Sequence, residues 1–233
     1  MIVAAAFCPQ PPLLYPALLG PQGQEAGALL RSACAAALDR TLGTGPEAVL
    51  LLGADRAAVR DTAYGAGDAG DLKGYGLPLR LGFDGPPADG GQAVPLPHAL
   101  GAWLLDEAGF AGRRVGLVAG TGSPRLRSLH ADTSRWVLLV MGDGSARRTE
   151  KSPGWYDPDA VPFDETVTRA LGSGDGTALR ALDKSIGERV LASGLCAWAE
   201  AGALMQGTPM EATVHYADAP FGVHYCVASW TAR

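Results

Sequence analysis

The sequence predicts a single α/β domain spanning residues 1–233, with a mainly parallel or mixed sheet, helices on both faces and a C-terminal β-hairpin. Three observations predict this three-layer arrangement. Short, wholly apolar runs recur at Ile2–Phe7, Ala48–Leu52, Val115–Ala119 and Val137–Met141, each the length of a strand buried on both faces. Longer stretches between them carry apolar residues at helical spacing. Two runs rich in β-formers, Glu211–Tyr216 and Val223–Trp230, close the chain around the tight loop Ala217–Gly222.

In chain order, Ile2–Phe7 is the first strand. Its apolar run has no basic segment before it and is cut short by prolines, so it reads as a buried strand and not as a secretory leader. The proline-rich turn after Cys8 suits neither a helix nor a central strand. Glu25–Leu42 follows as a helix, with Leu29, Leu30, Ala33, Ala37 and Leu38 as its apolar face, and Gly43–Pro46 stops it. Ala48–Leu52 is the second strand; strand, helix, strand with short links predicts a parallel βαβ unit. The stretch from Asp61 to Val94 is rich in glycine and aspartate. It holds a short strand within Leu77–Phe83 and a surface loop at Gly85–Gly91, read as an excursion or a lid. Pro97–Gly109 is a helix and Ser123–Ser134 a polar connector. Pro162–Leu171, Thr177–Leu191 and Leu195–Met205 are the later helices.

Composition excludes several function classes. A formal charge of −5 gives no electrostatic footprint for nucleic acid, and no array of aromatic and basic residues suits single strands. No apolar run reaches membrane-spanning length, so no membrane partner is expected. The 4 cysteines, Cys8, Cys34, Cys196 and Cys226, lack metal or disulfide-framework spacing, and a cytoplasmic location is the expectation.

The chain is organised around Arg135–Lys151, RWVLLVMGDGSARRTEK. A strand buried on both faces ends in a glycine turn that presents Asp143 and Ser145, and Arg147, Arg148 and Lys151 follow. In open α/β sheets ligands sit at the carboxyl ends of strands. Asp143 and Asp55, at the ends of two strands, can handle protons or serve as ordinary turn residues. Cys8 and Gln10, just past the first strand, are candidates for the same place, Cys8 either as a reactive thiol or as a buried, inert one. Ser145, Arg147 and Lys151 are candidates for substrate contact. Arg147, nearest the turn, is expected to point inward and grip a carboxylate, or to pair with Asp143; a solvated charge run is the other reading. The histidines His98, His130, His215 and His224 have no HxxxH spacing, although a hairpin can bring His215 and His224 close.

Four motifs in order, AAFCPQPPLLYP, LLLGAD, LLVMGDGSARRTEKSPG and YADAPFGVHYCVASW, resemble the class III extradiol ring-cleavage dioxygenases, specifically proteins related to their catalytic B subunit. Memo proteins share that fold, and the similarity is greatest to an actinobacterial branch. The resemblance implies non-haem iron(II) held by two histidines and a glutamate, and an acid/base histidine in the ring-cleaving members. Gln10 matches the first histidine ligand, and Ala146 matches the acid/base. The loop of the second ligand offers Asp55, and Glu200 and Glu211 are regional candidates for the glutamate. Iron(II) sites of this kind need imidazole and carboxylate donors, for which neutral glutamine is a poor substitute. Losing the acid/base removes a further ~10²–10⁴-fold.

The expectation is therefore a relative without the metal, keeping Gln10, Asp55 and Asp143 in one cleft for a small, anionic molecule. The alternatives are a catechol-cleaving enzyme with a remodelled Fe(II) site, and a homo-oligomeric binding protein that uses the terminal hairpin with Trp198 or Trp230.

Overall fold

The computed structural model describes residues 1–20, 23–54, 62–120, 123–128 and 132–233. The four apolar runs are strands: β1 (Ile2–Cys8), β2 (Ala48–Ala54), β6 (Arg113–Ala119) and β7 (Trp136–Met141). Short strands β3 (Ala63–Tyr64), β4 (Ala69–Asp71) and β5 (Arg80–Gly82) lie between β2 and β6, and β8 (Met210–Asp218) and β9 (Tyr225–Ala232) end the chain. The main sheet runs β3-β6-β2-β7-β1-β9-β8, while β4 and β5 form a separate ribbon. The four inner strands β6, β2, β7 and β1 are parallel; β3 on one side and the β9–β8 hairpin on the other are antiparallel. The architecture is the expected single α/β fold with a terminal hairpin.

The helices are α1 (Gln24–Leu42), α2 (Leu96–Glu107), α3 (Pro124–Ser128), α4 (Ala160–Ser173), α5 (Gly176–Arg180), α6 (Lys184–Arg189) and α7 (Leu195–Leu204). Alternate residues of the inner strands feed two separate cores. Val49, Leu51, Val137, Leu139 and Met141 pack towards α1 and α2. Phe7, Leu50, Leu52, Leu138 and Val140 pack towards α4, α5 and α7. Trp230 anchors the second core: its ring lies 5.0 Å from that of Phe7, and its indole N–H donates to the Leu171 carbonyl at 2.6 Å. A buried indole needs that partner.

Four local readings change. β1 and β2 are parallel but not neighbours, because β7 sits between them and pairs with both. β7 is buried at every position, and the middle of the sheet is where such a strand loses most water. On α1 the buried stripe is Gly27, Leu30, Ala33, Cys34, Ala37, Leu38 and Thr41, which keeps Leu30, Ala33, Ala37 and Leu38 of the expected face but leaves Leu29 exposed at 57%. The expected helix 177–191 is the pair α5 and α6, because the Asp183 carboxylate caps a new helix by accepting from Ile186 N–H at 2.9 Å. Trp198 and Trp230 are 1% and 0% exposed, so neither is available to a partner; the exposed tryptophan is Trp155 at 65%. The Gly85–Gly91 loop is an exposed excursion, tied down where Ala88 N–H donates to the Gly67 carbonyl at 2.9 Å. Among the described residues no helix is long and apolar enough to cross a membrane.

Candidate functional site

Because β1 and β7 are parallel neighbours, their exit loops leave the sheet side by side. The ladder continues one step past the strands, with Gly142 N–H donating to the Cys8 carbonyl at 3.0 Å. The next contact joins the two loops through a side chain: Gln10 N–H donates to Asp143 Oδ1 at 2.8 Å. Gln10 and Asp143 therefore meet, although 133 residues separate them. Asp55 and His130 lie outside the described residues.

The turn after β7 has its backbone groups occupied in succession. Asp143 N–H donates to Ser193 Oγ at 3.1 Å, and Gly194 N–H donates to the Asp143 carbonyl at 3.0 Å. Gly144 N–H donates to the His224 carbonyl at 2.8 Å, and His224 N–H donates to the Ser145 carbonyl at 2.9 Å. Ala146 N–H donates to the Val190 carbonyl, and the Ala146 carbonyl accepts from Gly154 N–H, each at 2.9 Å. Glycine is required at both 142 and 144. A Cβ on Gly142 would lie 2.2 Å from the Gly194 backbone, and one on Gly144 would lie 2.7 Å from both Asp164 Oδ1 and the His224 ring.

Asp143 keeps some exposed surface, yet the packed strand ends strip water from its carboxyl. Burial is the dominant cause that pushes it up from 3.8 to about 7, and the Gln10 amide bond opposes the shift. Tyr225, at the start of β9, is 4% exposed; burial first, then the neighbouring Asp143 charge, raises its phenol above the usual range. The Gln10 Oε1 atom is buried and, among the described residues, has no hydrogen-bond partner. A buried acceptor without a donor costs about 1–3 kcal/mol, so a site that retains one is suited to a donor from outside the chain. A carboxyl titrating near neutrality beside that acceptor can give or take a proton at physiological pH.

The other candidates take different places. Cys8 is 1% exposed in the core between β1 and α1, where its thiol contacts Cys34. Ser145 is fully buried, and its hydroxyl donates to Asp164 Oδ2 at 2.5 Å. Arg147 does not reach Asp143. Its guanidinium lies 3.9 Å from Asp157, which Arg189 also approaches at 3.6 Å. Arg148 is the arginine that turns inward, donating from Nε to Asp164 at 2.8 Å. Lys151 is exposed. His215 bonds Ser229 Oγ at 2.8 Å and His224 bonds Thr168 Oγ1 at 3.1 Å, so the two rings serve different partners.

Sequence reasoning missed Asp164, Ser193 and Tyr225. Asp164 had a legible signal, an acid on the same helical stripe as Val167 and Leu171, where an apolar residue is the rule. Ser193 and Tyr225 carried none, because each comes to the site through tertiary packing.

Among the described residues, the donors gathered at the ends of β1 and β7 are an amide, a carboxyl, a hydroxyl and a phenol. This set does not fit an iron(II) centre built from imidazole and carboxylate. Among the described residues no group of three or more His, Cys, Asp or Glu side chains is placed to hold a metal ion.

No family model matches the sequence, and no curated protein is similar to it at a significant level. In three dimensions the chain is similar to the crystal structure of an uncharacterised protein from Escherichia coli K12, with a TM-score of 0.53 and 15% identity over 98% of this chain and 99% of that one. At that identity the likeness is one of fold.

The Asp143 environment predicts a pH dependence. The folded state holds the proton between about pH 4 and about pH 7, where the unfolded chain has lost it. The contribution to stability is thus complete below the unfolded pKa and disappears as pH rises through the folded one. Denaturant unfolding across this window should show wild-type stability falling relative to Asp143→Asn, by at most on the order of 4 kcal/mol. Parallel curves for the two proteins would contradict the assignment.

Proposed function

We propose that this chain is an extradiol-dioxygenase-like protein without that family's iron(II) centre, which binds a small polar molecule at the carboxyl ends of β1 and β7. The observation that carries this reading is the pairing of Asp143, its carboxyl pushed up to about 7, with the buried, unpartnered Gln10 Oε1. A ligand suited to them presents a hydrogen-bond donor to Gln10 and exchanges or shares a proton with Asp143. Support for an anionic ligand rested on the Arg147–Lys151 run. Arg148 is neutralised by Asp164 and Arg147 faces Asp157, so within that run the support narrows to exposed Lys151. The ligand is accordingly proposed as polar, with no requirement for charge.

A specific observation favours a second reading, an oligomeric binding protein. Among the described residues, Trp155 and Leu191 are the non-glycine residues with left-handed backbone, at φ of 64° and 63°, and both are exposed. Tyr156, next to Trp155, and Phe221, on the turn between β8 and β9, are exposed at 53% and 42%, and Ser152 Oγ ties the Trp155 stretch to that turn through the Gly222 carbonyl at 3.0 Å. Exposed aromatic residues beside one another, Trp155 held outward in strained backbone, suit a protein interface.

Two measurements separate these readings. Protein produced with added iron and purified without chelator should hold far less than one equivalent of iron or zinc. One equivalent of either, lost on Asp143→Asn, would overturn the metal-free reading. Light scattering on wild type and Trp155→Ser tests the second: a dimer that the substitution dissociates supports it, and a monomeric wild type ends it.

A further inference from the structure

The Asp164 carboxylate is fully buried in α4, and three donors satisfy it: Ser145 N–H at 2.8 Å, Ser145 Oγ at 2.5 Å and Arg148 Nε at 2.8 Å. All three belong to the turn that carries Asp143. An ion pair serving only to hold α4 on the sheet would need one contact to the sheet; this carboxylate instead grips the turn at both ends of a four-residue segment. It also packs directly against the turn's backbone, because the missing Cβ of Gly144 would fall 2.7 Å from its Oδ1 atom. His224 closes the other side, bonding the backbone of Gly144 and of Ser145 at 2.8 and 2.9 Å.

We propose that Asp164 is the positioning residue of the Asp143 site: gripping the turn from the α4 side, it holds the Asp143 carboxyl against the Gln10 amide on the other. The inference rests on the reading of Asp143 given above. The Asp143 side chain accepts from Gln10 N–H, and its own backbone is held at both N–H and carbonyl, so its carboxyl stays in place only while the turn does. Beyond the His224 bonds at Gly144 and Ser145, the next anchors along the chain are the Asp164 contacts at Ser145 and Arg148. Removing them frees the turn to move outward, and the Gln10–Asp143 bond is the contact that this movement breaks.

Amide hydrogen exchange reads that bond directly. Asp164→Asn leaves the partly buried Arg148 without its carboxylate and risks unfolding, so Ser145→Ala, which keeps the ion pair, is the primary variant, with Arg148→Gln, which leaves the fully buried Asp164 carboxylate without its cation, as the second. Each is expected to accelerate exchange at the Gln10 amide at least about tenfold, the equivalent of about 1.4 kcal/mol of local opening. The amides of Leu139 and Val140 inside β7 should change by less than about twofold. In both variants the fall in stability between about pH 4 and about pH 7 should shrink towards that of Asp143→Asn, because a carboxyl released to water returns to its ordinary range. Equal acceleration at Gln10 and in β7 would show a general loss of stability and overturn the proposal, as would an unchanged Gln10 amide. If wild type itself lacks the pH-dependent fall, the reading of Asp143 fails. If wild type shows the fall and neither variant alters it or the Gln10 exchange, only the role of Asp164 fails.

Discussion

A strand buried on both faces has no water into which its exit can turn. β7 pairs with β1 and β2 along its length and is buried at every residue, so the turn after Met141 begins inside the protein. Its peptide groups must find partners there or pay the cost of burial without them. The partners come from five directions: the Cys8 carbonyl, Ser193 and Gly194 ahead of α7, the Val190 carbonyl after α6, the Asp164 carboxylate on α4, and the His224 backbone ahead of β9. These backbone contacts follow from that requirement. The two glycines follow as well, since Gly194 and Asp164 approach within distances that a side chain would occupy.

The same arrangement separates two carboxyl groups on neighbouring parts of one structure. Asp164 is fully buried but meets two hydrogen-bond donors from Ser145 and a guanidinium from Arg148. Asp143 keeps some surface but meets one backbone amide, too little to offset the loss of water around it. Environment, and not residue type, separates the two, and on the reading proposed above it suits one to holding the turn and the other to proton chemistry. Position within the fold is consistent with this division. Asp143 stands at the carboxyl end of the central parallel strands, the usual place for a ligand in such sheets, and Asp164 lies behind it on a helix.

Much of the fold was legible because burial on two faces leaves a compositional mark. IVAAAF, AVLLL and VLLVM are continuous apolar runs, and no amphipathic element produces those. The order of strands was not legible. Nothing in Ala48–Leu52 says that β7 will intervene between it and β1, since pairing order depends on which strand gains most from the centre. At the site, Gln10 and Asp143 were readable as strand ends, and parallel geometry brings such ends together. The choice between Arg147 and Arg148 was not: both follow the glycine turn, and a buried acid 16 residues later decides which of them turns inward. Cys8 looked like a site residue from its place beside Gln10, but alternation along β1 sends its side chain into the α1 core.

The proposed chemistry of this site depends on the protonation of Asp143 in the folded protein, and that quantity can be measured directly. A side-chain carbon-13 titration of the carboxyl resonances, with Asp143 assigned by its absence in Asp143→Asn, gives its midpoint without reference to any ligand or metal. A midpoint near 7 is the predicted result. A midpoint near 4, the ordinary value for an aspartate in water, would contradict the account.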